Sequence, residues 1–279
     1  MVVGALTLIG CGGQPVDAPR VTSDAGPVHV HGLGVNPADG ALFVAAHTGL
    51  FRAPRGQLRA RRVGDRFQDT MGFAVVGPDR FLGSGHPDLR ERLPPFLGLI
   101  ESRDAGRTWR ALSLQGSVDF HVLEARGSRV YGYGSDFESR GERFLASRDG
   151  GRTWRRIEPP GPLLSLAIAP GNPDELIAST ESSVHHSTTA GRTWAAVHAP
   201  APGLLTWTAD GIFLVSADGR VWRSPAGAAS WRPAGSVGGG PAAFDGGVGA
   251  ELLVALHDGT IKRSLDAGGS WTVRARPSG

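Results

Sequence analysis

Short apolar runs separated by glycine, proline and acidic turns dominate the chain, and none keeps a helical period through several turns. Leu42 to Ala46, Phe81 to Gly85, Val130 to Gly134, Leu176 to Thr180, Ile212 to Ser216 and Leu252 to Leu256 each have the length and branching of a buried strand. Aligned on the turns that follow them, these runs take the same place, the second strand, in a repeated unit. Six runs imply six units, spanning about 28–65, 66–116, 117–161, 162–203, 204–240 and 241–279. The prediction is an all-β chain, a six-bladed β-propeller over 28–279, with 1–27 as a leader and tether.

The turn that marks the units is Ser147-Arg148-Asp149-Gly150-Gly151-Arg152-Thr153-Trp154. Ser102 to Trp109 and Ser187 to Trp194 repeat it, and Ser264 to Trp271 and Ser224 to Trp231 are weaker copies. Their tryptophans recur about every 40 residues, one four-stranded blade apart. The chemistry is that of a hairpin. An Asp carboxylate accepts backbone N–H groups across the turn, Gly takes a positive φ, and Trp enters the next strand. Asp104, Asp149 and Asp266 hold the acidic position, whereas Thr189 and Ala226 replace it in two copies and Pro54-Arg55-Gly56 stands in for the whole turn in the first unit. The pattern resembles the Asp-box, or BNR, repeat of propellers such as sialidases, the Vps10/sortilin ectodomain and photosystem II assembly factors. That resemblance implies structural Asp-box residues on the rim opposite any pocket.

Composition narrows the partners. The 29 basic residues are scattered among 26 acidic ones, and no basic run is interleaved with aromatics, so a nucleic-acid groove is not expected. Cys11 is the single cysteine, which excludes a disulfide framework or a cysteine-based metal knuckle. It follows the apolar run Val2 to Ile9 in the sequence Leu-Ile-Gly-Cys, which resembles a bacterial lipobox. That implies lipidation of Cys11, a signal peptide and tether over 1–27, and an extracytoplasmic monomer anchored to the cell membrane. Val16 to Val28 is further expected as an outer strand that completes the sixth blade.

Strand connections in a propeller alternate between the two ring faces, so the Asp-box falls on the bottom rim, and the start of the first strand shares the top face with the link between strands two and three. Histidines collect at those top positions. His47, His86 and His257 end the second strands of blades one, two and six. His29 and His31, Asp69 and Met71, and Asp119 and His121 begin the first strands of blades one to three, spaced two apart so that each pair shares a strand face. Imidazoles gathered with carboxylates suit a divalent transition metal, zinc or copper. The candidate metal ligands are therefore His31, His47, His86, His121 and His257. The candidate ligand-binding set is His31, His86, His121, Asp69, Asp119 and Tyr133. Met71 would add a soft donor, although methionine at such a place commonly fills core gaps. His185, His186 and His198 sit near an Asp-box and read as scaffold or surface.

The stretches HVHGLGVNPADG, SGHPD and DFH resemble bacterial lipoproteins of the glycosylhydrolase or exo-α-sialidase-like group, which implies an exo-α-sialidase-like glycoside hydrolase acting on a glycan. Tyr133 and the loop arginines Arg90, Arg92, Arg140 and Arg143 are available for such a site, but the sequence lacks the arginine pattern of sialidases. Glu91, Glu138 and Glu142 read as solvated loop residues. The loops Pro87 to Gly98 and Asp136 to Arg143 are insertions that should overhang the mouth. Three function classes fit these residues: a metal- or small-molecule-binding propeller, a sialidase-like hydrolase, and a scaffold that binds a membrane-associated protein.

Overall fold

The structure, a computed structural model, describes residues 24–247 and 250–277. Six four-stranded antiparallel sheets follow one another along the chain, each laid down in sequence order from its first strand outward. The six second strands, among them Leu42–Ala46, Leu176–Thr180 and Leu252–Leu256, are buried along their whole or nearly whole length, as their unbroken apolar runs require. The ring is a six-bladed β-propeller.

Six apolar clusters hold it together, one wedge between each pair of neighbouring blades. Between blades one and two, Phe43, Phe73 and Phe81 meet edge to face, with centroids 4.7 and 5.5 Å apart. The wedge between blades six and one joins Leu42, Val44 and Phe51 to Leu253, Ile261 and Ala275, so closure uses the same contact as every other joint.

Of the expected outer strand Val16 to Val28, residues 16–23 lie outside the described residues. All four strands of blade six come from the C-terminal segment, ending in Thr272–Ala275, and residues 24–28 add no strand to it. Instead, Arg276 bridges Arg59 in parallel and donates its N–H to Leu58 O at 2.8 Å. The buried Arg274 guanidinium donates to the carbonyls of Ala53 and Gln57, both at 3.1 Å. Cys11, the apolar run before it and nearly all of the tether lie outside the described residues.

The recurrent turn is built as its residue types dictate. Around Asp104, the carboxylate accepts from the Thr108 N–H at 2.8 Å, the Thr108 hydroxyl at 2.6 Å and the Ser102 hydroxyl at 2.9 Å. The Gly106 N–H caps Ser102 Oγ at 2.8 Å. Asp149 and Asp266 repeat the network. At Thr189 a hydroxyl replaces the carboxylate and still accepts the Thr193 N–H at 2.9 Å. Blade five keeps the backbone, with positive φ at Gly227 and Ala228, but loses the network: Ser224 Oγ and Trp231 Nε1 are buried without a partner.

Candidate functional site

All of these turns link strands three and four, at the end of each blade opposite the first-strand starts, so their carboxylates lie away from the histidines. The histidines lie at the other face, where His31 and His121 line a central channel of about 510 Å³ formed by the six first strands.

Two glycines let that face assemble. Asp69 starts the first strand of blade two (Asp69–Gly77) and pairs in register with His86, the end of the second strand (Arg80–His86). A side chain at Gly85 would collide with the Asp69 carbonyl, and one at Gly134 would do the same to Asp119 in blade three. Both Asp backbones can therefore lie tight against the strand end beside them.

Each carboxylate then collects two imidazoles. His47 Nδ1 of blade one lies 2.7 Å from Asp69 Oδ2, and His31 Nε2 lies 3.7 Å from Asp69 Oδ1. One blade on, His86 Nε2 reaches Asp119 Oδ2 at 3.2 Å and His121 Nε2 reaches the same oxygen at 3.1 Å. The histidine at the end of one blade's second strand thus clamps the acid that opens the next blade, twice over.

The two groups differ in chemistry. Ligand atoms of His31, His47 and Asp69 all lie within 4.8 Å of one another, the one such group of three among the described residues. His31 Nε2 and Asp69 Oδ1 are buried with no hydrogen-bond partner, so an ion between them would satisfy both. Burial lowers the pKa of His31, which keeps the ring neutral and its nitrogen lone pair available, against the opposing pull of Asp69. In the second group the hydrogen bond to Asp119 raises His121, and the same bond with that to Pro95 O takes His86 to about 9. His86 Nδ1 lies 2.9 Å from the Pro95 carbonyl, so both ring nitrogens face acceptors and both carry hydrogen. Burial of Asp119 works to raise its pKa, but the bonds from His121 and His86 outweigh that and hold it ionised.

The remaining candidates are placed elsewhere. His257 lines a neighbouring cavity between blades six and one, together with His29 and His31, and is not one of the group of three. Met71 lines the channel with His31 and His121. Tyr133 does not line the channel: it is packed with Phe144, Ile157 and Leu163, and its hydroxyl donates to Glu142. Burial and that carboxylate push its pKa up, away from a nucleophile's requirement. Glu142 is thus more than a solvated loop acid, since it also helps to raise His121. Arg90 is held by Asp88 and Asp65, and Arg143 by Asp136. His186 bonds Glu175 at 2.9 Å and His185 bonds Ser183 at 2.8 Å, as scaffold residues do.

Sequence reasoning missed the far end of the channel, where Glu124, Arg126 and Asp245 line both the channel and the pocket below it. Burial raises Asp245 to about 7 and lifts Glu124 well above the carboxylate range, with Asp245 adding to it. The available signal was a charged residue late in each of two first strands, Glu124 in Val118–Arg126 and Asp245 in Pro241–Gly246.

No family model and no curated protein matches the sequence. Solved structures do. A gluconolactonase from Xanthomonas campestris aligns with a TM-score of 0.63 at 15% identity, over 82% of this chain and 84% of that one. A GH74 xyloglucanase from the same organism aligns at 0.58 and 18% identity, over 91% of this chain but 46% of its own length. YCF48 from Cyanidioschyzon merolae aligns at 0.54 and 12% identity, over 90% and 86% of the two chains. At these identities the likeness is one of fold alone.

Proposed function

We propose that this protein is an extracytoplasmic propeller of the Asp-box type, anchored through a lipid on Cys11, whose top mouth binds a divalent transition metal through His31, His47 and Asp69. The observation that carries the metal is the pair of buried, unpartnered atoms, His31 Nε2 and Asp69 Oδ1, facing each other at 3.7 Å with His47 beside them. Two imidazoles and a carboxylate are a zinc donor set with a coordination position left for a ligand. The Met71 thioether in the same channel would tilt selection toward copper. The Asp-box reading rests on the repeated carboxylate network of the turns, and the anchor on the Leu-Ile-Gly-Cys motif.

This assignment narrows the five-histidine expectation. His86 and His121 are engaged with Asp119 and serve beside the metal, and His257 lies outside the group. Elemental analysis after zinc loading and gel filtration tests it. Near-stoichiometric zinc in the wild type, lost in His31→Ala and His47→Ala and kept in His257→Ala, is the expected result. Retention unchanged by the first two substitutions overturns it. Loss of Cu(I) affinity in Met71→Leu with zinc retention unchanged would identify Met71 as a further donor.

A further inference from the structure

Five of the six first strands carry a β-bulge near their top ends, and each bulge leaves one residue outside the pairing register: His31, Met71, His121, Leu164 and Ala242. In blade five the pairing is regular, and Leu204 stands second in its first strand as Leu164 does in blade four. All six residues line the central channel. A bulge takes a side chain out of the strand alternation and re-aims it, so each blade contributes one residue to a ring at the channel mouth.

That ring has two chemical sides. His31, Met71 and His121 come from blades one to three, and Leu164, Leu204 and Ala242 from blades four to six. Leu164 is 44% exposed, a large apolar side chain that meets the channel rather than the packing between blades. Apolar wall facing a few placed polar groups is the composition of a small-molecule site.

On the polar side His121 has a donor to offer. Its Nε2 lies 3.1 Å from Asp119 Oδ2, and its Nδ1 makes no hydrogen bond among the described residues. The bond to Asp119 raises its pKa, so Nδ1 carries hydrogen as well. His86 shares the same oxygen but spends its other nitrogen on Pro95 O. With a divalent ion on His31, His47 and Asp69, the positive charges are two on the ion and one on each of the two imidazoliums, against the carboxylates of Asp69, Asp119 and the nearby Glu142. The other acids of this face, Glu138, Glu181 and Asp258, do not line the channel, and Glu124 and Asp245 stand at its far end. A single surplus charge, a free N–H and an open coordination position fit a monoanion with two oxygens. A phosphate would bring further charge and oxygens with no donor to meet them.

We propose that the channel mouth binds a small organic carboxylate, its head between the ion and His121 and its apolar body against Leu164, Leu204 and Ala242. The proposal rests on the metal reading above and names what fills the open position.

Cobalt(II) in place of zinc makes the two separable, because its visible bands respond to the group in the open position. Cobalt-loaded protein is titrated with acetate, hexanoate and inorganic phosphate. Both acids should shift the bands, hexanoate at least about tenfold more tightly than acetate, and phosphate should bind more weakly than hexanoate. His121→Gln should keep its cobalt and bind hexanoate about tenfold more weakly. Leu164→Ser should bind acetate as the wild type does and lose most of the gain from the longer chain. Cobalt held with bands that neither acid moves, or that both proteins move equally, overturns the proposal and leaves the metal site standing. Equal affinity for acetate and hexanoate, or tighter binding of phosphate, overturns it as well, and these comparisons decide the matter if His121→Gln does not fold. Failure to take up cobalt removes the metal reading and this one together.

Discussion

His47 Nδ1 lies 2.7 Å from Asp69 Oδ2 and so ties the end of blade one to the opening of blade two. His86 and Asp119 repeat this contact one blade on, but there a second imidazole, His121, shares the same carboxylate oxygen, whereas beside Asp69 the second imidazole is unbonded, with His31 Nε2 buried and unpartnered. Removing the carboxylate charge at the first latch should therefore strike metal affinity. Asp69→Asn is expected to weaken zinc binding at least about tenfold, measured by chelator competition. Asp119→Asn should leave zinc stoichiometry unchanged.

The second latch should write itself into the pH dependence of stability. His86 titrates near 9 in the folded chain against about 6.5 when unfolded. Its contribution is present in full below the lower value and is lost as pH rises through the higher one. The His86 side chain is 42% exposed, so solvent screening reduces the effect to about 1 kcal/mol. Denaturant midpoints of wild type and His86→Gln should differ at pH 6 and converge above about pH 9.

Asp245 works in the opposite sense. Its folded value of about 7 lies above the unfolded carboxylate range, so the folded state holds the proton more tightly and stability falls as pH rises from about 4 to 7. Asp245→Asn should match wild type near pH 4 and exceed it by about 1–2 kcal/mol at pH 8 in urea titrations. A gain of the same size at both pH values would contradict an ionisation effect.

Blade five offers a repair. Ser224 Oγ has no partner because Ala226 stands where other blades carry Asp, and Ala228 holds a φ of 51° where they have Gly. Ala226→Asp with Ala228→Gly should restore the hydroxyl–carboxylate bond and relieve the positive φ, for a gain of about 1 kcal/mol. Scanning calorimetry should show a Tm increase of roughly 2–4 °C.

One buried cation adds to the apolar wedge at ring closure. Burial lowers the Arg274 pKa, and its guanidinium is held by backbone carbonyls of blade one. Arg274→Ala leaves those carbonyls without their donor and should cost about 3 kcal/mol in equilibrium unfolding. Arg274→Lys should recover part of it, since one ammonium reaches fewer of the carbonyls.

The sequence by itself determined the blade count and the turn chemistry. Unbroken apolar runs can be buried only as inner strands, and the Ser-x-Asp-x-Gly-x-Thr-Trp hairpin satisfies its own backbone through contacts a few residues apart. It also placed His31, His47, Asp69, His86, Asp119 and His121 on one face, because strand alternation and antiparallel order fix which end of a blade each occupies. What the tertiary structure decided are contacts between blades, which depend on how six wedges pack and on the bulges in the first strands, for example between Thr70 and Gly72. Those contacts split the histidines into two groups, bonded His86 and His121 to Asp119, and left His31 Nε2 beside Asp69 buried and unbonded. They drew Tyr133 into the packing between blades three and four, and tied the last strand to blade one through Arg274. Glu124 and Asp245 lie far apart in the sequence, and only closure of the ring brings both to the channel, where the loss of bulk water changes their acidity.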